Sequence, residues 1–250
     1  MDEGQASGVA QRVLLKLSGE MLAGRKGLGL DPEVLDRFAA EIAEAAALGV
    51  GVGVVIGGGN IFRGLAGAGR GVDRVRGDHM GMLATAINAL ALQDALERRG
   101  QPAEVMTALV LQRVGQPFEQ RTALRLLDDG TVLIFACGTG CPFFSTDTAA
   151  ALRAVEIGAS LLLKGTKVDG VYDRDPARDP TAVRYPRISY GQVLQERLRV
   201  LDLTATSLCM ENNLPIVVFD MNRPGELVRA VRGEPVGTLV GPAAPSTPSR

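Results

Sequence analysis

Residues 54–64 read VVIGGGNIFRG: an apolar run, three consecutive glycines, an asparagine and a lone arginine. Glycine contributes no packing and loses the most conformational freedom on folding. Three of them after a buried run therefore point to something that approaches the backbone more closely than a side chain would allow. A continuous apolar run, without polar alternation, is the pattern of a strand buried on both faces. The stretch predicts a strand that ends in a turn stripped of side chains, at the kind of place where open α/β sheets bind ligands.

The same pattern recurs on both sides of it. RVLLKLSG (12–19) reads as a strand ending in glycine. In LDPEVLDRFAAEIAEAAALG (30–49), Asp31 is a plausible N-cap and Pro32 suits the first helical position. Val34, Leu35, Phe38, Ile42 and Ala45 repeat at helical spacing, and Gly49 stops the helix. Beyond the glycines, DHMGMLATAINALALQDALERRG (78–100) predicts a long apolar helix and AEVMTA (103–108) a strand. FEQRTALRLLDDG (118–130), TVLIFACGTG (131–140), DTAAALRAVEIG (147–158) and ASLLLKG (159–165) continue as helix, strand, helix and strand. After a polar loop come helical stretches near 189–198 and 202–213, the strand PIVVFD (215–220), a short helix from Pro224, and GTLVG (237–241). Strands and helices in alternation predict a three-layer α/β/α sandwich around a mainly parallel sheet. No Pro/Ser-rich linker interrupts the chain, so residues 9–241 are expected to form one domain, with disordered tails at 1–8 and 242–250.

Bulk properties narrow the function. The 250 residues are 46% apolar and 22% charged, with a net charge of −1 and no long basic block, so non-specific nucleic-acid binding lacks its usual drive. No segment approaches the length of a membrane span, and MDEGQASGVAQR has no apolar core of a secretory signal, so a cytoplasmic protein is expected. Three cysteines (Cys137, Cys141, Cys209) and one histidine (His79) are a poor disulfide or zinc set, and the expectation is three buried, reduced thiols. A serine hydrolase is disfavoured by the single histidine and the absence of G-x-S-x-G.

Glycine is the informative excess, 31 of 250 against an average of about 7%. It clusters with hydroxyls and charge at four strand ends: KLSGE (16–20), GGGNIFRG (57–64), GTGCPFFSTD (138–147) and KGTKVDGVYDRDP (164–176). Such strand ends, with exposed backbone N–H groups and helix N-termini, suit phosphate. There is no G-x-x-x-x-G-K-[ST] and no G-x-G-x-x-G after the first strand, so neither a P-loop nor a dinucleotide fingerprint applies. The series Asp169, Asp173, Asp175 and Asp179 lacks the glycine and closing glutamate of a calcium loop. What remains is cations facing glycines, the charge arrangement that phosphoryl transfer requires. Lys16 lies between an apolar run and a glycine turn, whereas Lys164 taken alone reads as a solvated surface charge. Asp147, after FFST, can be an N-cap or can hold a lysine in place.

Together, LLKLSGE, VVIGGGNIFRG, GDHMGMLAT, GTGCPFFSTD, KGTKVDGVYDRDP and VFDMNRPG resemble the bacterial uridylate (UMP) kinases of the amino acid kinase superfamily, in order, from about residue 12 to 241. The resemblance implies phosphorylation of UMP by Mg-ATP in pyrimidine nucleotide biosynthesis. It also implies magnesium carried by the ATP phosphates, a homohexamer, and a possible GTP activator and UTP inhibitor. By matching motif, it implies that Lys16, Leu17, Ser18, Gly19, Gly59 and Arg63 face ATP phosphates. Thr166, Tyr172 and Asp175 would hold the ATP base and ribose, with Lys164 near the phosphates. Gly58, Asp78 and the run Thr139, Gly140, Cys141, Pro142, Phe143, Phe144, Ser145 and Thr146 would hold UMP. Asp147 and Asp202 would orient lysines, which completes a catalytic set of Lys16, Arg63, Asp147, Lys164 and Asp202. An activator segment would fall on Gly24, Arg25, Lys26, Gly27, Leu28 and Gly29. Cys141 departs from the asparagine common at its place in the family, and His79 reads as a helix-start residue at a subunit contact or near the base. Two rival readings are a carboxylate or carbamate kinase of the same fold and a nucleotide-binding regulator without turnover. The acid in GDHMGMLAT suits a ribose diol better than an anionic acceptor, and Lys16 and Asp147 are both present.

Overall fold

A computed structural model describes residues 10–62, 71–198 and 200–243. The stripped strand of the glycine motif, β2 (Gly51–Ile56), lies in the middle of a nine-stranded sheet with β1 (Arg12–Leu17) on one side and β5 (Val132–Ala136) on the other. Outside β5 come β3 (Ala103–Thr107) and the two-residue β4 (Gln116–Pro117). Outside β1 come β6 (Leu161–Thr166), β10 (Ile216–Asp220), β11 (Thr238–Gly241) and β9 (Arg187–Ser189). Every neighbouring pair in this sheet is parallel except β10 with β11. Parallel pairing needs crossover segments, and the helices supply them on both faces.

β1 shows how the faces are divided. Val13, Leu15 and Leu17 point into one core with α2 (Pro32–Ala46), α3 (Arg74–Glu97) and α8 (Glu226–Val231). Leu14 points into the other, with α4 (Gln120–Asp128), α5 (Thr146–Glu156), α6 (Tyr190–Gln195) and α7 (Leu203–Glu211). Because side chains alternate along a strand, Lys16 must fall on the α5 side with Leu14. This is the expected α/β/α sandwich.

The helix boundaries follow the capping chemistry. Asp31 accepts from the backbone N–H groups of Glu33 and Val34 and Pro32 follows it, as anticipated. α3 begins earlier than the apolar pattern indicates, because Asp73 caps it through the Arg76 N–H at 3.1 Å. At α5 the cap is Ser145, through the Thr148 N–H, and Asp147 sits inside the first turn. The N-cap alternative for Asp147 is therefore set aside. Within the polar stretch after β6, a small antiparallel hairpin forms from β7 (Val171–Tyr172) and β8 (Arg184–Tyr185). Residues 1–8 and Arg63 lie outside the described residues, as do 244–250 of the C-terminal stretch.

Candidate active site

The carboxyl ends of β1 and β6 carry the centre of the site. Lys16 and Lys164 are register partners, and both fall on the face covered by α5. Asp147, in the first turn of α5, lies between them: its Oδ1 is 2.7 Å from Lys16 Nζ and its Oδ2 accepts from Lys164 Nζ at 3.1 Å. Lys164 Nζ also donates to the carbonyl of Val200. Burial alone would push the Asp147 carboxyl up, but the two ammonium groups outweigh it and hold the carboxyl below the ordinary range. Lys164 is pushed down by its burial, against the pull of Asp147. The result is a compact, partly dehydrated cluster with two cations, one anion and a net positive charge.

Two turns lie beside this cluster. The amide of Gly57 donates to Leu17 O at 2.9 Å, so the glycine turn sits on the end of β1. A Cβ on Gly19 would collide with Gly57 O and with Asn60 Oδ1. A Cβ on Gly58 would lie 2.7 Å from Ala84 Cβ and 2.8 Å from Gly81 O, both on α3. Gly19 and Gly58 thus allow the two turns and α3 to pack closely against one another. Leu17 is buried in the core, so only its backbone can face a ligand. Ser18 precedes α1 (Gly19–Leu22) with no side-chain capping bond, which leaves its hydroxyl uncommitted to the helix.

A cleft of about 560 Å³ opens between this turn and the start of α3. It is lined by Gly58, Gly59, Asp78, Thr139, Phe143, Phe144, Ser145 and Thr146 among others, and so unites seven of the residues implied for UMP. Gly59, implied for the ATP side, also lines it. Gly140, Cys141 and Pro142 are not among its lining residues; Cys141 instead lines a separate apolar hollow with Leu152 and Leu208. Asp78 accepts from the Phe143 N–H at 2.7 Å and from Arg74 Nε at 2.9 Å. Slight burial works to raise its carboxyl, and those bonds overcome it and lower it. Phe143 takes a left-handed φ of 72°, and the Arg74 guanidinium stands over its ring at 5.3 Å. The sequence reading missed Arg74, because it lies before the recognisable GDHMGMLAT.

A second cleft, of about 570 Å³, is lined by Lys164, Thr166, Tyr172, Asp175, Arg174 and Arg197 among others. It gathers the residues implied for the ATP base and ribose. Thr166 Oγ1 donates to Val168 O at 2.7 Å, and the Tyr172 hydroxyl donates to Asp169 at 2.7 Å. Arg174 pairs with both Asp173 and Asp179, Arg178 with Asp175 and Arg223 with Asp169, so each aspartate of that series has a cationic partner. Between the two clefts, a hollow of about 1010 Å³ is lined by Phe143, Ser145, Asp147, Lys164 and Asp202 among others, so Lys164 faces both it and the second cleft.

Asp202 differs from expectation. Its carboxylate accepts from Thr148 Oγ1 at 3.0 Å, from the Ala205 N–H at 2.8 Å and from Ser145 Oγ. It caps α7 and ties that helix to α5, and it acts on Lys164 only through space, as a minor influence. Three further points of the sequence reading meet the structure here. Cys137 and Cys209 are buried, but Cys141 is exposed, which corrects the expectation of three buried thiols. His79 is exposed on the second turn of α3. The 24–29 segment forms a 3₁₀ turn (Gly24–Lys26) followed by Gly27 and Gly29, both with φ of 73°.

This fold and this pair of clefts define a class: the chain belongs to the amino acid kinase family, whose sequence profile matches residues 11–220. Within that family its relatives are uridylate kinases. It is 55% identical to the uridylate kinase of Porphyromonas gingivalis, over 92% of this chain and 96% of that one. It is 56% identical to the uridylate kinase of Saccharophagus degradans, over 92% of this chain and 93% of that one. The fold superposes on the crystal structure of UMP kinase from Bacillus anthracis with a TM-score of 0.91 and 38% identity, covering 94% of this chain and 97% of that one.

Proposed function

We propose that the chain transfers the γ-phosphoryl group of ATP to UMP, giving ADP and UDP. The observation that carries this reading is the Lys16–Asp147–Lys164 cluster at the junction of the two clefts, in a chain 55% identical to a uridylate kinase. ATP occupies the cleft at Thr166, Tyr172 and Asp175, with its phosphates extending toward Lys164, Lys16 and the Ser18–Gly19 turn. UMP occupies the cleft at Asp78 and Gly58, with Phe143 to Thr146 around it. A phosphate oxygen of UMP attacks the γ-phosphorus, the bond to the ADP oxygen breaks, and ADP leaves with that electron pair. The attacking oxygen is already anionic, so no general base is needed, and the reaction depends on position and charge. Lys16 and Lys164 offset the charge on the transferring group. Asp147 keeps both ammonium groups aimed and, held as an anion, accepts no proton in the cycle.

Among the described residues, no group of three or more His, Cys, Asp or Glu could hold a metal ion, and Asp147 is committed to its lysines. That donor set fits a magnesium ion held by the phosphate oxygens of ATP rather than by side chains. Held there, the ion would supply further positive charge against the phosphates, beside that of Lys16 and Lys164. Arg63, outside the described residues, is assigned by motif to the same polyphosphate.

The same reading places the enzyme in the cytoplasm as a single domain over residues 9–241, assembled as a homohexamer. Met80, Leu83, Ile87 and Leu90 support assembly: they form an exposed apolar stripe along α3, where self-association would remove them from water. GTP and UTP act as regulators, with the 24–29 segment as the activator contact. No helix among the described residues is long and apolar enough to cross a membrane. The test is ADP release with UMP, CMP, aspartate and N-acetylglutamate as acceptors. Turnover with UMP and little with the amino acids is expected; turnover with an amino acid alone would reassign the chain to another branch of the fold.

A further inference from the structure

Two asparagines with no solvent exposure lie behind the glycine turn. Asn60 closes the turn itself, and Asn88 comes from the middle of α3. Their amides form a closed pair: Asn60 Nδ2 donates to Asn88 Oδ1 at 3.0 Å, and Asn88 Nδ2 donates to Asn60 Oδ1 at 2.7 Å. Each amide has a second N–H, and both are used. Asn60 donates to Gly29 O at 2.7 Å, and Asn88 to Gly57 O at 2.7 Å. The backbone N–H of Gly29 returns a bond to Asn60 O at 2.9 Å. Burying two amides gives little net stability over apolar packing, but a fully satisfied polar network fixes a unique geometry.

What this network joins matters for the reaction. α3 carries Asp78 near its start, where the Phe143 N–H binds, and Thr85, whose Oγ1 accepts from the Cys137 N–H at 2.7 Å. Asn88 continues that row of contacts to Gly57, so one helix pins the loop that follows β5 at two points and the glycine turn at a third. Asn60 in turn lies against Gly19 at the end of the Lys16 strand, so closely that any side chain there would strike its Oδ1. The lysine strand, the glycine turn and the acceptor helix therefore meet at the amide pair.

We infer that Asn60 and Asn88 are positioning residues for phosphoryl transfer: by locking the glycine turn to α3, they set the separation between an acceptor held at Asp78 and donor phosphates held at Lys16. The inference rests on the kinase reading above. Because a misplacement of roughly 1 Å can cost about 100-fold in rate, such a lock acts on the chemical step more than on binding.

The test uses Asn88→Ala, Asn60→Ala and the double variant in the full chain, assayed well below their unfolding temperatures. The expected result is a kcat lowered by about tenfold or more, with KM for ATP and for UMP each within about threefold of the unmodified enzyme. The double variant should lose little more than the worse single variant, because the closed pair acts as one device. A linked adenosine–polyphosphate–uridine ligand, which spans both clefts, should lose affinity although ATP and UMP alone bind as before. A purely structural pair would lower the unfolding temperature and leave kcat and the linked ligand unaffected, and that result overturns the inference. Should the alanine variants not fold, Asn60→Ser, which keeps a hydroxyl at the site, carries the same comparison, and normal kcat in it has the same meaning. No UMP turnover in the unmodified enzyme would instead sink the kinase reading itself.

Discussion

Lys16 on β1 and Lys164 on β6 are direct register partners, and both end on the two oxygens of one carboxylate, Asp147. Two ammonium groups side by side repel one another. The shared anion offsets this and leaves one positive charge in excess at the junction of the two clefts.

Replacing Lys16 by alanine leaves the Asp147–Lys164 pair intact, so the fold should survive with a modest change in unfolding temperature. Turnover should fall by about 10²–10³ or more, the scale for losing one preorganised charge partner of a developing anion. Calorimetry together with the ADP-release assay checks both halves. Near-normal turnover would remove Lys16 from the mechanism.

Asp147→Asn tests the cluster through pH. The folded carboxyl lies below its unfolded value, so the folded state binds fewer protons between the two values and stability rises with pH there. That contribution is present above the unfolded pKa of about 3.9 and is lost as pH falls through the folded value. Denaturant titrations should show the unmodified protein well ahead of the variant at pH 7, by about 3–5 kcal/mol for a broken buried pair. The gap should narrow at acidic pH. A gap that does not change with pH would mean that the carboxylate charge is not what matters.

Much of this site is legible in the residues. Lys16 stands out because it interrupts an apolar strand just before a glycine, and Asp31 announces its helix through the proline after it. Lys164 interrupts LLL directly before Gly165 in the same way, but its register against Lys16 across a parallel pair, which brings the two cations to one carboxylate, leaves no local signal. Ser145 and Asp147 are both good capping residues, and only the backbone decides that Ser145 takes the cap and frees Asp147 for the lysines. β4, β7 and β8, with two residues each, are too short for any periodicity to show. Asn88 does leave a trace: a lone amide within the apolar stretch AINALAL (86–92) needs a buried partner, although nothing nearby names Asn60.

At the Asp78 cleft, Arg74→Ala removes the guanidinium from Asp78 and from the Phe143 ring. The Phe143 loop then loses one of its ties, and KM for UMP should rise by about tenfold, with KM for ATP little changed. Initial rates over a two-substrate grid separate the two effects. An equal rise in both constants would contradict the division between clefts.

The thiols give a chemical check on the packing. Cys141 is exposed, whereas burial pushes the Cys209 thiol up to about 12 and raises that of Cys137. A thiol reagent should label one cysteine per native chain quickly and the other two only on unfolding. Because Cys141 lines the hollow with Leu152 and Leu208 rather than the Asp78 cleft, Cys141→Ser should leave KM for UMP unchanged. A large rise would place that side chain on the acceptor.

The most direct measurement follows the phosphorus itself: ATP labelled at the γ-position is incubated with UMP and the enzyme, and the products are separated. The account predicts that the label appears in UDP, in step with ADP formation, and that both disappear in Lys16→Ala. Label released as inorganic phosphate, or none transferred to UMP while ATP is consumed, would contradict it.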